Sequence, residues 1–169
     1  MILVDATTLY ELGQIGELEL LDSFEGEIVI LDAVTAEVGV EPAATNLERY
    51  VEEYDVATTV EGVAEFEDDA MGLLAADERT SDVALVAALL AGRERDDEVS
   101  LVSGDKRLRA IADGLGATVT SAFGVVVRAT KDDKYFSATQ AKRVIRRTDH
   151  HGVQMTGTLR ERAIGEVSD

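Results

Sequence analysis

Met1-Ile2-Leu3-Val4-Asp5-Ala6-Thr7-Thr8-Leu9 is the stretch from which the fold is read. Four apolar residues without polar alternation suit a strand buried on both faces, as in the middle of a parallel sheet. An acid at the end of such a strand stands where open α/β sheets bind ligands, which makes Asp5 the first candidate for chemistry. A second apolar run, Val99 to Ser103, ends the same way in Gly104-Asp105.

Outward from these runs, strand and helix patterns alternate. Thr7 to Gln14 predicts a short helix that Gly16 breaks, and Glu17 to Phe24 a second one with Leu18, Leu20 and Leu21 apolar. Ile28-Val29-Ile30-Leu31 is another buried strand, ending at Asp32, and a short helix from Thr35 carries Glu37 in its first turn or two. Pro42 fits the first turn of the next helix, whose apolar face is Leu47, Tyr50, Val51 and Tyr54. Val56 to Val60 predicts a third strand, and Phe66, Ala70, Leu73 and Leu74 a helix. Every residue from Val83 to Ala91 is apolar, so the helix opened by Thr80-Ser81-Asp82 is expected to be buried nearly all round. Val99 to Val102 is the fourth strand. Leu108, Ile111, Ala112 and Leu115 keep helical spacing, Gly116 stops that helix, and Thr118-Val119-Thr120 is a fifth strand. The expected architecture is a three-layer α/β/α domain over residues 1–127, with a central parallel sheet of four to five strands.

Residues 128–169 read as a short helical C-terminal extension packed on the same domain. Ser137-Ala138-Thr139-Gln140 resembles a capping box, with Ala141, Val144 and Ile145 inward, and Thr158-Leu159-Arg160-Glu161 opens a last short helix. Lys131-Asp132-Asp133-Lys134 is the weakest stretch between the two parts.

With 169 residues, 46% of them hydrophobic, the chain can build one substantial core. It has no cysteine, which excludes disulfides and thiolate metal sites. No apolar run approaches the roughly 18 residues of a membrane span and no leader pattern is read at the start, so a soluble, cytoplasmic protein is expected. Acids outnumber bases 34 to 16, and only four of the bases are lysines. An acidic, lysine-poor surface keeps a protein soluble in a salty cytoplasm, so the charge reads as halophilic habitat before it reads as a statement about partners. The balance is uneven: residues 1–127 hold 7 bases and 28 acids, residues 128–169 hold 9 bases and 6 acids.

Asp5, Asp82 and Asp105 each stand at a helix start, where an aspartate caps orphan N–H groups and complements the dipole. A lone Glu37 on a short helix is ordinarily a solvated face. Taken together they say more. If the strands ending in Asp5 and Asp105 are neighbours, their carboxylates converge on one crevice, and Asp82 begins a wholly apolar helix aimed near it. Like charges that close raise one another's pKa unless a cation neutralises them, and oxygen ligands suit Mg²⁺ or Mn²⁺.

These residues resemble the motifs of the PIN-domain nucleases, including the VapC-like toxin ribonucleases. Asp5 with Ala6-Thr7-Thr8-Leu9 is similar to the first motif. Leu31-Asp32-Ala33-Val34-Thr35-Ala36-Glu37-Val38 is similar to the second, with Glu37 as its glutamate. Ser81-Asp82-Val83-Ala84 resembles the third, and Val102-Ser103-Gly104-Asp105-Lys106-Arg107-Leu108-Arg109 the fourth. The likeness covers about residues 1–127. It implies a sheet with the first strand beside the fourth, and an acidic quartet, Asp5, Glu37, Asp82 and Asp105, holding one or two divalent ions. It also implies endoribonuclease activity on single-stranded or structured RNA, with a small antitoxin protein as partner if the chain is a toxin; a homodimer is expected. Thr7 and Ser103 are candidates to orient those carboxylates. The sequence departs from the family where many members carry a further acid, since Lys106 and Arg107 follow Asp105. A non-catalytic RNA- or protein-binding PIN module is the alternative.

Other folds with aspartates at strand ends lack their own signatures here. A haloacid-dehalogenase-type phosphatase needs an aspartate where Thr7 stands, and no GxxxxGK[ST] or GxGxxG loop follows any strand. A phospho-receiver domain gives no role to the buried 83–91 helix or the basic tail. Lys106, Arg107 and Arg109 beside the fourth motif, and Arg143 and Arg147 on a basic face with Lys142 and Arg146, are candidate RNA contacts. The ordinary reading of that face is solvated arginines paired with acids elsewhere. His150-His151 reads as neutralising a helix C-terminus.

Overall fold

A computed structural model describes residues 1–131 and 138–150. Its centre is a four-stranded parallel sheet in the order β2-β1-β3-β4, made of β1 (Ile2–Val4), β2 (Ile28–Val29), β3 (Ser100–Val102) and β4 (Thr118–Thr120). β1 pairs with β3 in the register Leu3↔Leu101 and Val4↔Val102, so the first strand lies beside the run that ends in Asp105. The chain moves outward from β1 to β2 on one side and from β3 to β4 on the other. The crevice at the carboxyl ends of β1 and β3 is therefore the topological switch point of the sheet.

Helices cover both faces, giving the three-layer α/β/α arrangement. On one side α1 (Ala6–Ile15) packs with α3 (Ala43–Glu53), α7 (Ala122–Lys131) and α8 (Ala138–His150). On the other, α5 (Ser81–Glu94) packs with α2 (Asp32–Glu37), α4 (Glu67–Leu74) and α6 (Lys106–Gly114). The core runs through the sheet: Leu3, Val4, Leu101 and Val102 are fully buried, as are Leu85, Val86, Ala87 and Ala88 of α5. Gly16 ends α1 in the left-handed region (φ 71), as its position after the apolar stripe predicts.

Several local expectations change. The stretch after Gly16 is a 3₁₀ segment, Leu18–Ser23, because Leu18 and Leu21 reach the core from positions three apart, which the tighter turn superimposes. The third strand shrinks to one parallel bridge, Val29↔Ala57, with the Ile30 and Asp32 N–H groups donating to the Ala57 and Thr58 carbonyls at 2.9 and 3.2 Å. Asp55 (φ 48) turns the chain after α3, so this segment meets β2 only briefly at the sheet edge. α2 starts at Asp32, not Thr35, and Glu37 is its last residue. Pro42 directly precedes α3 instead of lying in its first turn. Leu73 is 48% exposed, since α4 turns Ala70 and Leu74 inward, and Tyr54 is 42% exposed, its ring tilted against Tyr50.

In α8, Ala141, Val144 and Ile145 are buried as the pattern requires. α7 crosses position 127/128 without a break. The Ser137 capping box, the 132–134 stretch, His151 and the helix expected from Thr158 lie outside the described residues. No described helix is long and apolar enough to cross a membrane.

Candidate functional site

Asp5 is built into the crevice from three directions. Its N–H donates to the Val102 carbonyl at 3.0 Å, continuing the β1–β3 ladder one residue beyond the strand. It caps α1, with Oδ1 accepting from the Thr8 N–H at 2.8 Å. Oδ2 accepts from the Ser103 hydroxyl at 2.6 Å and the Gly104 N–H at 3.2 Å. Hydrogen bonds to an ionised acceptor are the strong ones, so this carboxylate, only 3% exposed, is held in one orientation.

Ser103 carries the geometry to the next acid. Fully buried, its Oγ donates to Asp5 and accepts from the Asp105 N–H at 3.0 Å. Asp105 caps α6 through Oδ1, which accepts from the Leu108 N–H at 2.8 Å. At Asp5 and Asp105 the cap uses Oδ1 alone, so capping does not exclude a further role for the other oxygen. Asp82 is different: the cap of α5 is Thr80, whose hydroxyl oxygen accepts from the Val83 N–H at 3.3 Å, which leaves Asp82 exposed on the first turn with no capping duty. Glu37 reaches the same place from the end of α2, accepting a short hydrogen bond from the Ser81 hydroxyl.

The four acids thus come from four elements to one edge of the sheet. The Asp82 carboxyl is raised above its ordinary value by partial desolvation first, then by the charges of Asp105, Asp5 and Glu37, with Arg107 pulling the other way. As the side chains lie, no three acidic or histidine groups among the described residues are close enough to grip an ion. The donor set still fits a hard divalent cation: it offers only oxygens, the Asp5 carboxylate is fixed, and Glu37, Asp82 and Asp105 are solvent-exposed, Glu37 and Asp105 each held through one oxygen.

Glu11 was not marked by the sequence reading. It lies on α1, 6% exposed, and its carboxyl is pushed up to about 7 by burial and then by the charge of Asp5. The available signal was an acid inside the inward stripe of Thr8, Leu9, Leu12 and Ile15. Thr7 is exposed and faces the fourth-motif loop: a Cβ added at Gly104 would stand 3.3 Å from its methyl group. Thr8, not Thr7, supplies the backbone donor to Asp5.

The basic candidates separate. Lys106 is exposed at the start of α6. The Arg107 guanidinium donates to the Leu74 carbonyl at the end of α4, and that of Arg109 to the Ser103 carbonyl at 2.5 Å, so both brace the walls of the site. Arg143 is exposed on α8. Arg147 donates to the Ile15 carbonyl at 3.0 Å and pairs with Glu17 at 3.8 Å. It therefore sits at the opposite end of α1 from Asp5, about 15 Å away by helical rise.

A family model described as DUF3368, a PIN domain, matches residues 1–169. No curated protein and no solved structure matches the chain.

Proposed function

The chain belongs to the PIN-domain family, whose members are generally metal-dependent nucleases, and on that premise we propose that it is a divalent-metal-dependent endoribonuclease. In this reading Asp5, Glu37, Asp82 and Asp105 hold Mg²⁺ or Mn²⁺, directly or through water. The supporting observation is that Ser103 ties Asp5 to Asp105 at the ends of β1 and β3, while Ser81 ties Glu37 to the first turn of α5, which carries Asp82.

A bound divalent ion supplies a lowered pKa for an attacking water and neutralises charge on the scissile phosphate. Asp5 is the rigid member, its orientation set by Thr8, Ser103 and Gly104 before any ligand arrives. Ser103 keeps Asp5 and Asp105 in fixed relation, and Thr7 lies at the exposed rim to orient a water. Glu37, Asp82 and Asp105, the exposed members, would complete the set of ligands. Lys106, Arg107 and Arg109 line the phosphate approach, and Arg143 and Arg147 extend it along α8. The helical extension 128–169, a homodimer and a small antitoxin protein belong to the same proposal; a small regulator encoded just upstream is what the toxin role requires.

The alternative, a non-catalytic RNA- or protein-binding module, draws on the open spacing of the acids. One experiment decides. Wild type, Asp82→Asn and Asp105→Asn are incubated with a labelled RNA in Mg²⁺ or in chelator, and Mn²⁺ binding is followed by calorimetry. Cleavage by wild type only with metal, lost in both folded variants, supports the nuclease. A folded wild type that binds RNA but neither takes up Mn²⁺ nor cleaves establishes the module.

A further inference from the structure

Two buried groups on α1 are left over by the site described above. Thr8 is fully buried, and although its N–H donates to Asp5, its Oγ1 has no hydrogen-bond partner. Glu11 is more than nine-tenths buried and, among the described residues, makes no hydrogen bond and no ion pair. Residues three apart on a helix are neighbours, so Thr8 adjoins Asp5 on one side and Glu11 on the other. Glu11 also faces the fourth-motif loop, where a Cβ added at Gly104 would lie 3.9 Å from its Oε1. Gly104 is exposed and carries no side chain, which leaves an approach from solvent.

Native proteins rarely leave buried polar groups unsatisfied, and such groups recur where a ligand, ion or water belongs. Here the unsatisfied buried atom is the Thr8 hydroxyl oxygen, which stands between the Asp5 carboxylate, whose described partners are all uncharged donors, and the Glu11 carboxyl, which has no described partner. Two carboxyl groups and a hydroxyl, with no cationic side chain described against them, make an oxygen-only donor set, which selects a hard cation. We propose that Glu11 and Thr8 Oγ1 form, with Asp5 shared, a second cation site beside Gly104, next to the ion assigned to Asp5, Glu37, Asp82 and Asp105. It goes beyond the nuclease reading and stands whether or not the chain cleaves RNA.

The test titrates the full chain with Mn²⁺ by calorimetry at pH 8 in tetramethylammonium chloride, and melts it with KCl exchanged for that salt at equal ionic strength. Wild type is expected to take up two equivalents of Mn²⁺, and Glu11→Gln and Thr8→Val one each. Glu37→Gln with Asp82→Asn should retain the Glu11-dependent equivalent. A K⁺-dependent rise in melting temperature that Glu11→Gln abolishes identifies a monovalent occupant and also supports the site. If Glu11→Gln matches wild type toward both ions, Glu11 is neutral beside a water and the proposal fails. A single equivalent lost in both the Glu11 and the Glu37/Asp82 variants shows one shared site and likewise overturns it. A single equivalent lost only in the Glu11 and Thr8 variants sinks the quartet reading and leaves this site standing.

Discussion

In the ion-free protein Glu11 is a liability whose size depends on pH. Its carboxyl titrates near 4.5 when unfolded and at about 7 in the fold, so the folded state holds the proton more tightly. The stability this contributes is fully present below the unfolded value and is lost as pH rises through the folded one. A shift of that size corresponds to about 3 kcal/mol. In chelator, Glu11→Gln should therefore match wild type near pH 4.5 and exceed it at pH 8 by up to about 3 kcal/mol in urea denaturation; an unchanged difference across that range would mean Glu11 is not desolvated. Ser103 works in the opposite sense. Ser103→Ala removes a donor to a buried carboxylate and an acceptor for the Asp105 N–H, and a loss of about 1–3 kcal/mol is expected. Asp105→Asn isolates charge from capping, since asparagine caps as well as aspartate. It should leave the urea midpoint nearly unchanged while ending cleavage, and a large loss of stability would show that the carboxylate's work is structural.

At the scale of elements, what places the acids is how closely the helices approach the sheet and one another. A Cβ at Gly13 would lie 3.0 Å from both the Cα and Cβ of Ala43, so α1 and α3 meet almost backbone to backbone. Gly13→Ala has to push α3 away and should cost about 1–3 kcal/mol, read by thermal or urea unfolding. α5 depends on its Thr80 cap to present Asp82. Thr80→Ala should cost about 1 kcal/mol and reduce cleavage through a displaced Asp82. Normal cleavage in that variant would mean that packing against α4 and α2 alone fixes the start of α5. The Thr80-Ser81-Asp82 triplet is informative because three adjacent polar residues divide three tasks: cap, tether to Glu37 and free acid. Their identities were legible in the chain, their division of labour was not.

Across the whole molecule, a net charge of -18 sets the conditions under which any of this operates. The Debye length falls from about 10 Å at 0.1 M salt to about 3 Å at 1 M, so self-repulsion fades as salt rises. If the acidic surface reflects a halophilic habitat, the melting temperature should climb between 0.1 and 2 M KCl; a flat profile would remove that reading. On the nuclease reading, RNA would then be held by local pairs. Arg143→Ala should weaken RNA binding, measured by anisotropy in molar salt, without altering the melt, whereas Arg147→Ala should also loosen α8 from the end of α1 through its lost contacts to Ile15 and Glu17. Equal RNA affinity in Arg143→Ala would make α8 a structural cover.

Local pattern alone determined the strands at 2–4 and 100–102, the buried helix from Ser81, and Asp5, Asp82 and Asp105 at element ends, because apolar periodicity and acids at element ends are properties of short stretches, whereas Glu37 was marked by the family resemblance. The tertiary structure decided the rest. That Val4 aligns with Val102, so that Ser103 stands under Asp5, is a pairing across nearly a hundred residues. Val56 to Val60 had the composition of a strand and became a bridge, since strand formation needs a partner of matching length and β2 is two residues long. Arg107, Arg109 and Arg147 looked alike as surface cations until backbone carbonyls folded against them. Glu11 read as one acid among 34. Only the packing of other elements around α1 takes it out of water, and desolvation is a property of everything packed around a residue, not of the residue itself.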